Sequence, residues 1–104
     1  RQAGRLVSLL ARAGERHFHF KQQLDVPFSL GITAHGLGAL QLAIAWYGRS
    51  LAESGAHPST LLNLALAQKT LGRVDDACAA LEVLLEAEPE HPRAKALLDE
   101  WSSA

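Results

Sequence analysis

The chain repeats a sparse pattern of small and apolar residues at a spacing of 34 residues. Leu64–Ala65 corresponds in this way to Leu30–Gly31. The other matched positions are Gly72 with Gly38, Ala77 with Ala43, Leu81 with Tyr47, Leu84 with Ser50, and Pro89 with Gly55. A period of this length is typical of a small unit that buries its apolar face only by stacking on its neighbours. The sequence therefore predicts a repeat architecture.

The downstream copy predicts three helices. Pro58 begins the first, in which apolar residues recur at helical spacing, and Gly72 ends it because glycine readily adopts left-handed backbone. Asp75 and Asp76 begin the second, since negative charge is favoured at a helix N-terminus, and Glu88–Pro89 stops it. The third runs from Pro92 to Trp101 with one apolar stripe and is predicted to cap the stack.

The upstream copy predicts two more helices, over 27–37 and 39–53, separated from the downstream copy by a turn over 54–56. Gly36 and Gly38 lie close together, and glycine inside a helix costs about 0.5–1 kcal/mol relative to alanine. The first of these helices is therefore expected to be short and to end between 34 and 37. Residues 1–24 lack the repeat pattern but show helical apolar spacing, so a non-repeat helical segment is predicted there.

This pattern resembles the tetratricopeptide repeat, a helix-turn-helix unit that stacks into an open superhelix. The resemblance implies an all-α fold with a short right-handed superhelix. It implies two repeats over 25–91, preceded by the N-terminal segment 1–24 and followed by a C-terminal capping helix over 92–104. The chain departs from the family's pattern at Leu61, where the family usually has an aromatic residue, and at Gln68, where it usually has tyrosine.

The resemblance also implies a function, because such repeats mostly bind other proteins on a concave surface formed by the first helix of each repeat. Carried over by position, that surface receives Asp25 and the candidate groove residues Phe28, Ile32, His35, Leu62, Asn63, Leu66, Lys69 and Arg93. We call Phe28, Ile32, Leu62 and Leu66 the first-helix strip. Family members that clamp a peptide carboxylate use Lys, Asn and Arg side chains at five positions of these helices. Only Asn63 and Arg93 match that set, so the paired cations are missing and a carboxylate clamp is not expected.

Two interpretations of the first-helix strip remain open at this point. In one, the strip is part of a groove for an extended or helical peptide with apolar anchors. In the other, the chain's own N-terminal segment covers it through Phe18 or Phe20. Trp46, at the edge of its helix stripe, is the aromatic residue most suited to an interface. Two repeats also leave apolar ends, which predicts either capping by the chain's own ends or a homodimer.

Charge balance, hydropathy and cysteine content indicate which classes of function this chain is not suited to. The chain has 10 Lys and Arg against 11 Asp and Glu and no basic run, so neither a nucleic-acid nor an anionic-membrane surface is predicted. No apolar run reaches the roughly 18 residues that a membrane helix needs. The lone Cys78 forms no internal disulfide, and no signal-peptide pattern begins the chain, which favours the cytoplasm.

Catalytic and metal sites are not predicted. Gly36–Gln41 begins like a dinucleotide loop but lacks the preceding strand, and P-loop, hydrolase and zinc-protease motifs are absent. The five histidines lack Cys, Asp or Glu partners at zinc-ligand spacing, so no zinc site is predicted. Asp75, Glu82 and Glu86 share a solvated helix face. Such a face has no pocket that could separate two carboxylate pKa values for acid–base catalysis. Cys78 is interpreted as an inert core thiol. The sequence thus predicts a non-catalytic interaction scaffold without a cofactor.

An alternative function is a regulatory or oligomerisation segment of a larger enzyme, with the groove covered by its own chain. The sequence begins at Arg1 and contains no methionine, so we expect it to be a piece of a longer protein.

Overall fold

The computed structural model describes residues 25–103, and within them the chain forms five α-helices and no strand. We number them in chain order: α1 Val26–Gly36, α2 Leu40–Ser54, α3 Pro58–Thr70, α4 Val74–Ala87 and α5 Pro92–Ser102. The predicted helices in this range are confirmed, with ends that differ by one or two residues. The expectations for residues 1–24 lie outside the described residues, as does the end of the C-terminal segment at Ala104.

Proline and glycine delimit these helices as the sequence indicates. A proline stands in the first turn of α1, α3 and α5, where the missing N–H would have no helical partner. Gly38, Gly55 and Gly72 have φ values of 82°, 97° and 84°, which any larger residue adopts with strain. The three turns that they form let the chain reverse direction between successive helices.

Successive helices pack against each other along the chain: α1 on α2, α2 on α3, α3 on α4, and α4 on α5. The first helices of the two hairpins, α1 and α3, also touch directly. α1 and α3 therefore lie side by side, and α2 and α4 complete the two hairpins.

The core contains the small and large residues that the repeat pattern pairs. Ala43 and Ala77 are fully buried, as are Tyr47 and Leu81 one helical turn later on α2 and α4. Trp101 is buried at the downstream end, where Lys69 Nζ lies 5.6 Å from the centroid of its ring. Tyr47 thus belongs to the core, and Trp101 of α5, the helix predicted to cap the stack, is buried with it.

A polar pair joins the two ends of the first hairpin. Asp25 caps α1, because its Oδ1 accepts a hydrogen bond from the Phe28 N–H at 3.0 Å, while its Oδ2 accepts one from the fully buried Ser50 hydroxyl of α2 at 2.7 Å. The second hairpin has Leu84 at the position of Ser50. The family resemblance placed Asp25 on the binding surface; the structure shows it holding α1 to α2.

Asp25 is expected to make the free energy of unfolding depend on pH in the acidic range. Burial by itself raises the pKa of the Asp25 carboxyl, but hydrogen bonds from Phe28 and Ser50 and the nearby His57 together hold that pKa below its usual range. A carboxylate with a lower pKa in the folded state contributes stability above its unfolded pKa of about 3.9, and that stability is lost as the pH falls through the folded pKa. Asp25→Ala should lower the free energy of unfolding by about 1 kcal/mol at pH 7.

Urea unfolding of the parent and of Asp25→Ala, measured from pH 7 down to pH 2, checks this prediction. The difference between the two proteins should shrink as Asp25 becomes protonated. Glu100→Ala, an exposed carboxylate on α5, serves as the control and should change stability by less than about 0.5 kcal/mol. A difference for Asp25→Ala that stays constant over the whole pH range would contradict the assignment.

Candidate functional site

The first-helix strip consists of partly exposed apolar side chains on two neighbouring helices. Phe28 and Ile32 belong to α1, and Leu62 and Leu66 stand 34 residues later on α3, so the two pairs occupy equivalent places in the two hairpins. Ile32 is 41% exposed, while Phe28, Leu62 and Leu66 are half-buried and pack against the core. Phe28, Leu62 and Leu66 therefore anchor the fold with one side, and all four side chains leave apolar surface outside.

His35 lies beside the strip, but its ring contacts the interior of the first hairpin. Its Nδ1 forms a hydrogen bond with the Tyr47 hydroxyl at 2.9 Å, and the two rings meet edge to face with centroids 5.9 Å apart. Burial raises the pKa of Tyr47, so the phenol keeps its proton. Phe28 contacts the same Tyr47 ring, with centroids 6.1 Å apart. Sequence reasoning placed His35 on the groove rim and missed its contact with Tyr47.

The remaining candidate polar residues are divided between internal contacts and solvent. Asn63 Nδ2 donates to the Ser59 carbonyl of its own helix at 2.8 Å, and Lys69 lies over Trp101. Arg93 is exposed and forms no ion pair with any residue from 25 to 103. Among the candidate groove residues, Arg93 is thus the one cation without an internal contact in the described chain, and it lies in the first turn of α5.

A second depression, which the sequence analysis did not find, lies between α2, α3 and α4. We call it the outer groove. It has a volume of about 400 Å³. Its lining is formed by Leu51, Ala56, Leu61, Leu64, Gln68, Asp76, Ala79, Ala80 and Val83. On α3, Leu61, Leu64 and Gln68 are separated from Leu62 and Leu66 by about 150° at 100° per residue, so the outer groove and the first-helix strip face nearly opposite sides.

Gln68 is the unusual member of the outer groove. Its Oε1 atom is buried and accepts no hydrogen bond from any residue of the described chain. Buried polar atoms nearly always have a partner, because leaving one unsatisfied costs about 1–3 kcal/mol. Two signals in the sequence pointed to Gln68: it is a polar residue within the apolar helical spacing of Leu61, Leu64 and Leu71, and it stands where the family usually has tyrosine.

The remaining residues that the sequence analysis considered do not come together into a site within the described chain. Cys78 is half-buried against the core, and Trp46 is half-buried on α2. Asp75, Glu82 and Glu86 are exposed along α4. Among residues 25–103, no three potential metal ligands cluster together, and His17 and His19 lie outside this range. In the same range, no helix is long and apolar enough to cross a membrane.

Comparisons with known proteins agree with this architecture. No curated protein matches the chain. A family model described as Tetratricopeptide repeat matches residues 34–100, more than half of the chain, from the last turn of α1 into α5. Repeats of this kind generally mediate contacts between proteins and are typically non-catalytic. The stacked helix pairs and this match show that the chain belongs to the tetratricopeptide repeat family.

Proposed function

We propose that this domain is a non-catalytic interaction module that binds a peptide or protein segment along the first-helix strip. The observation that carries the proposal is the repeat of partly exposed apolar residues, Phe28 with Leu62 and Ile32 with Leu66, on the two neighbouring first helices. A ligand that presents apolar side chains in a row would contact both helices at once.

The polar surroundings of the strip suit a ligand bound mainly through apolar contacts. His35 and Asn63 already have hydrogen-bond partners within the domain, and Lys69 lies over an aromatic ring. Only Arg93 among the candidate polar residues is an exposed cation without an ion pair in the described chain. A peptide carboxylate would therefore lack the paired cations that give charge-assisted hydrogen bonds their strength. We expect an apolar segment whose charged end, if it has one, lies near α5.

Photo-crosslinking identifies the ligand and tests the strip together. In one variant a photoreactive amino acid replaces Leu66, and in a control variant it replaces the exposed Glu82 of α4. The same crosslinked partner peptides should recur with the Leu66 variant and not with the Glu82 variant. A synthetic version of such a peptide is then titrated against the purified domain. Ile32→Asp and Leu62→Asp should each weaken its binding at least tenfold, because each buries a carboxylate in an apolar contact.

Circular dichroism separates loss of binding from loss of fold in these variants. Ile32→Asp changes a side chain that is already 41% exposed, so the helical signal should persist. Glu82→Ala should leave both binding and helicity unchanged. Binding that survives Ile32→Asp and Leu62→Asp in folded protein would reject the strip as the site, and crosslinks of equal yield from Leu66 and Glu82 would do the same.

A further inference from the structure

The outer groove combines an apolar floor, a buried hydrogen-bond acceptor and an acidic wall, and together these define the chemistry of a matching ligand. Its floor is apolar, with Leu61 and Leu64 from α3 and the 42% exposed Val83 on the α4 wall. It contains the buried acceptor Gln68 Oε1, which has no hydrogen-bond partner among residues 25–103. Its α4 wall carries Asp76, and Asp75, Glu82 and Glu86 are exposed on the same helix. A matching ligand carries an apolar side chain, an N–H or O–H donor and positive charge.

The basic residues are concentrated near the N-terminus of the chain, and the acidic residues are concentrated in and around α4. Residues 1–24 contain five Arg or Lys and one Glu, whereas the remaining residues contain five Arg or Lys and ten Asp or Glu. Residues 74–91, which include all of α4, have six carboxylates and no Lys or Arg. Opposite charges on two parts of one chain attract each other. A cation that approaches α4 also reduces the repulsion between the carboxylates along that helix.

We propose that residues 16–21 of the same chain, Arg-His-Phe-His-Phe-Lys, occupy the outer groove. Phe18 and Phe20 supply apolar rings for the floor, and a ring N–H of His17 or His19 supplies the donor that Gln68 Oε1 does not find among residues 25–103. Arg16 and Lys21 supply charge opposite Asp76. No other stretch of the chain combines two phenylalanines, histidines and two flanking cations within six residues.

The attachment point of this segment puts the groove within reach. Asp25 accepts a hydrogen bond from Ser50 at 2.7 Å, and Ser50 precedes Leu51, which lines the groove. An extended chain covers about 3.3–3.6 Å per residue, so the five steps from Asp25 back to Phe20 span roughly 17 Å. Docking here leaves the first-helix strip, on the other side of α3, free for a partner. The inference does not depend on what binds that strip.

Disulfide trapping in a protein that contains residues 1–104 locates the segment. In a Cys78→Ser background, Q22C is paired either with V83C on the groove wall or with I32C on the first-helix strip. The effective concentration of each pair is measured from its thiol–disulfide equilibrium with glutathione. Chain connectivity alone favours the I32C pair, because its loop is much shorter. We expect the V83C pair to reach an effective concentration at least tenfold higher.

Two further variants tie that preference to the proposed contacts. Phe18→Ala with Phe20→Ala, and separately Asp76→Lys, should each lower the effective concentration of the V83C pair at least tenfold. The I32C pair should rise in the same variants, because an undocked segment is free to approach the strip, and circular dichroism confirms the fold. An I32C pair that equals or exceeds the V83C pair overturns the proposal, since that is the result expected from chain connectivity alone. Disulfide-linked dimers that increase with protein concentration also overturn it, since the occupant is then a second copy.

Discussion

Replacing Ala77 by tryptophan is expected to lower the free energy of unfolding by about 3 kcal/mol or more, a fall in melting temperature of about 10 °C or more. Ala77 is fully buried on α4, the helix that packs on both α3 and α5. A side chain many atoms larger than a methyl group has no space there and must push the helices apart, because protein interiors are already close-packed. Thermal unfolding followed by circular dichroism measures the effect.

The control for this substitution lies on the same helix. Glu82 is exposed and makes no ion pair with any residue of the described chain, so Glu82→Ala should change stability by less than about 0.5 kcal/mol. Similar melting temperatures for Ala77→Trp and Glu82→Ala would overturn the alignment of the two repeats, since that alignment is what makes Ala77 a contact position.

Adding one methyl group at Gly31 is expected to destabilise the domain by about 1–3 kcal/mol. A Cβ atom at this position would lie 2.5 Å from both Cδ1 and Cε1 of Tyr47. The ring has little freedom to move away, because Tyr47 is fully buried, contacts Phe28 and is hydrogen-bonded to His35. Gly31→Ala therefore replaces a close helix contact by a clash.

Gly48 provides a matched control for Gly31 because it also lies inside a helix. A Cβ atom at Gly48 meets nothing within 4 Å, and its φ is not positive. Gly48→Ala should then show the ordinary gain of replacing glycine in a helix, about 0.4–1 kcal/mol of added stability. Opposite signs for the two substitutions in urea unfolding are the expected result. A stabilising Gly31→Ala would mean that α1 and α2 do not approach as closely as the structure has them.

The helices themselves were largely predictable from local sequence. The first-turn prolines, the glycines at 38, 55 and 72, and the apolar spacing in between all act within a few residues, so their effects can be read without the partner helix. The core positions Ala43, Ala77, Tyr47 and Leu81 were predictable as well, because the 34-residue repeat shows which positions of each hairpin are equivalent.

The polar contacts were not predictable in the same way. Asp25 meets Ser50 and His35 meets Tyr47 across 25 and 12 residues, and no local pattern pairs them. The surface implied by the family resemblance included Asp25 and His35, yet both form hydrogen bonds to α2. Of the eight candidate groove residues, the four apolar ones keep partly exposed surface, and the proposed binding site is built on these four.

The sequence by itself determined the all-α repeat architecture, the places where the chain turns and the small residues at which helices meet, because each depends on local backbone preference or on a period visible along the chain. Only the tertiary structure decided which side chains hydrogen-bond between helices. It also decided that α2, α3 and α4 leave an open groove in which the Gln68 oxygen has no partner from the described part of the chain. These features depend on the distances between helices, and such distances arise from the packing of all side chains together.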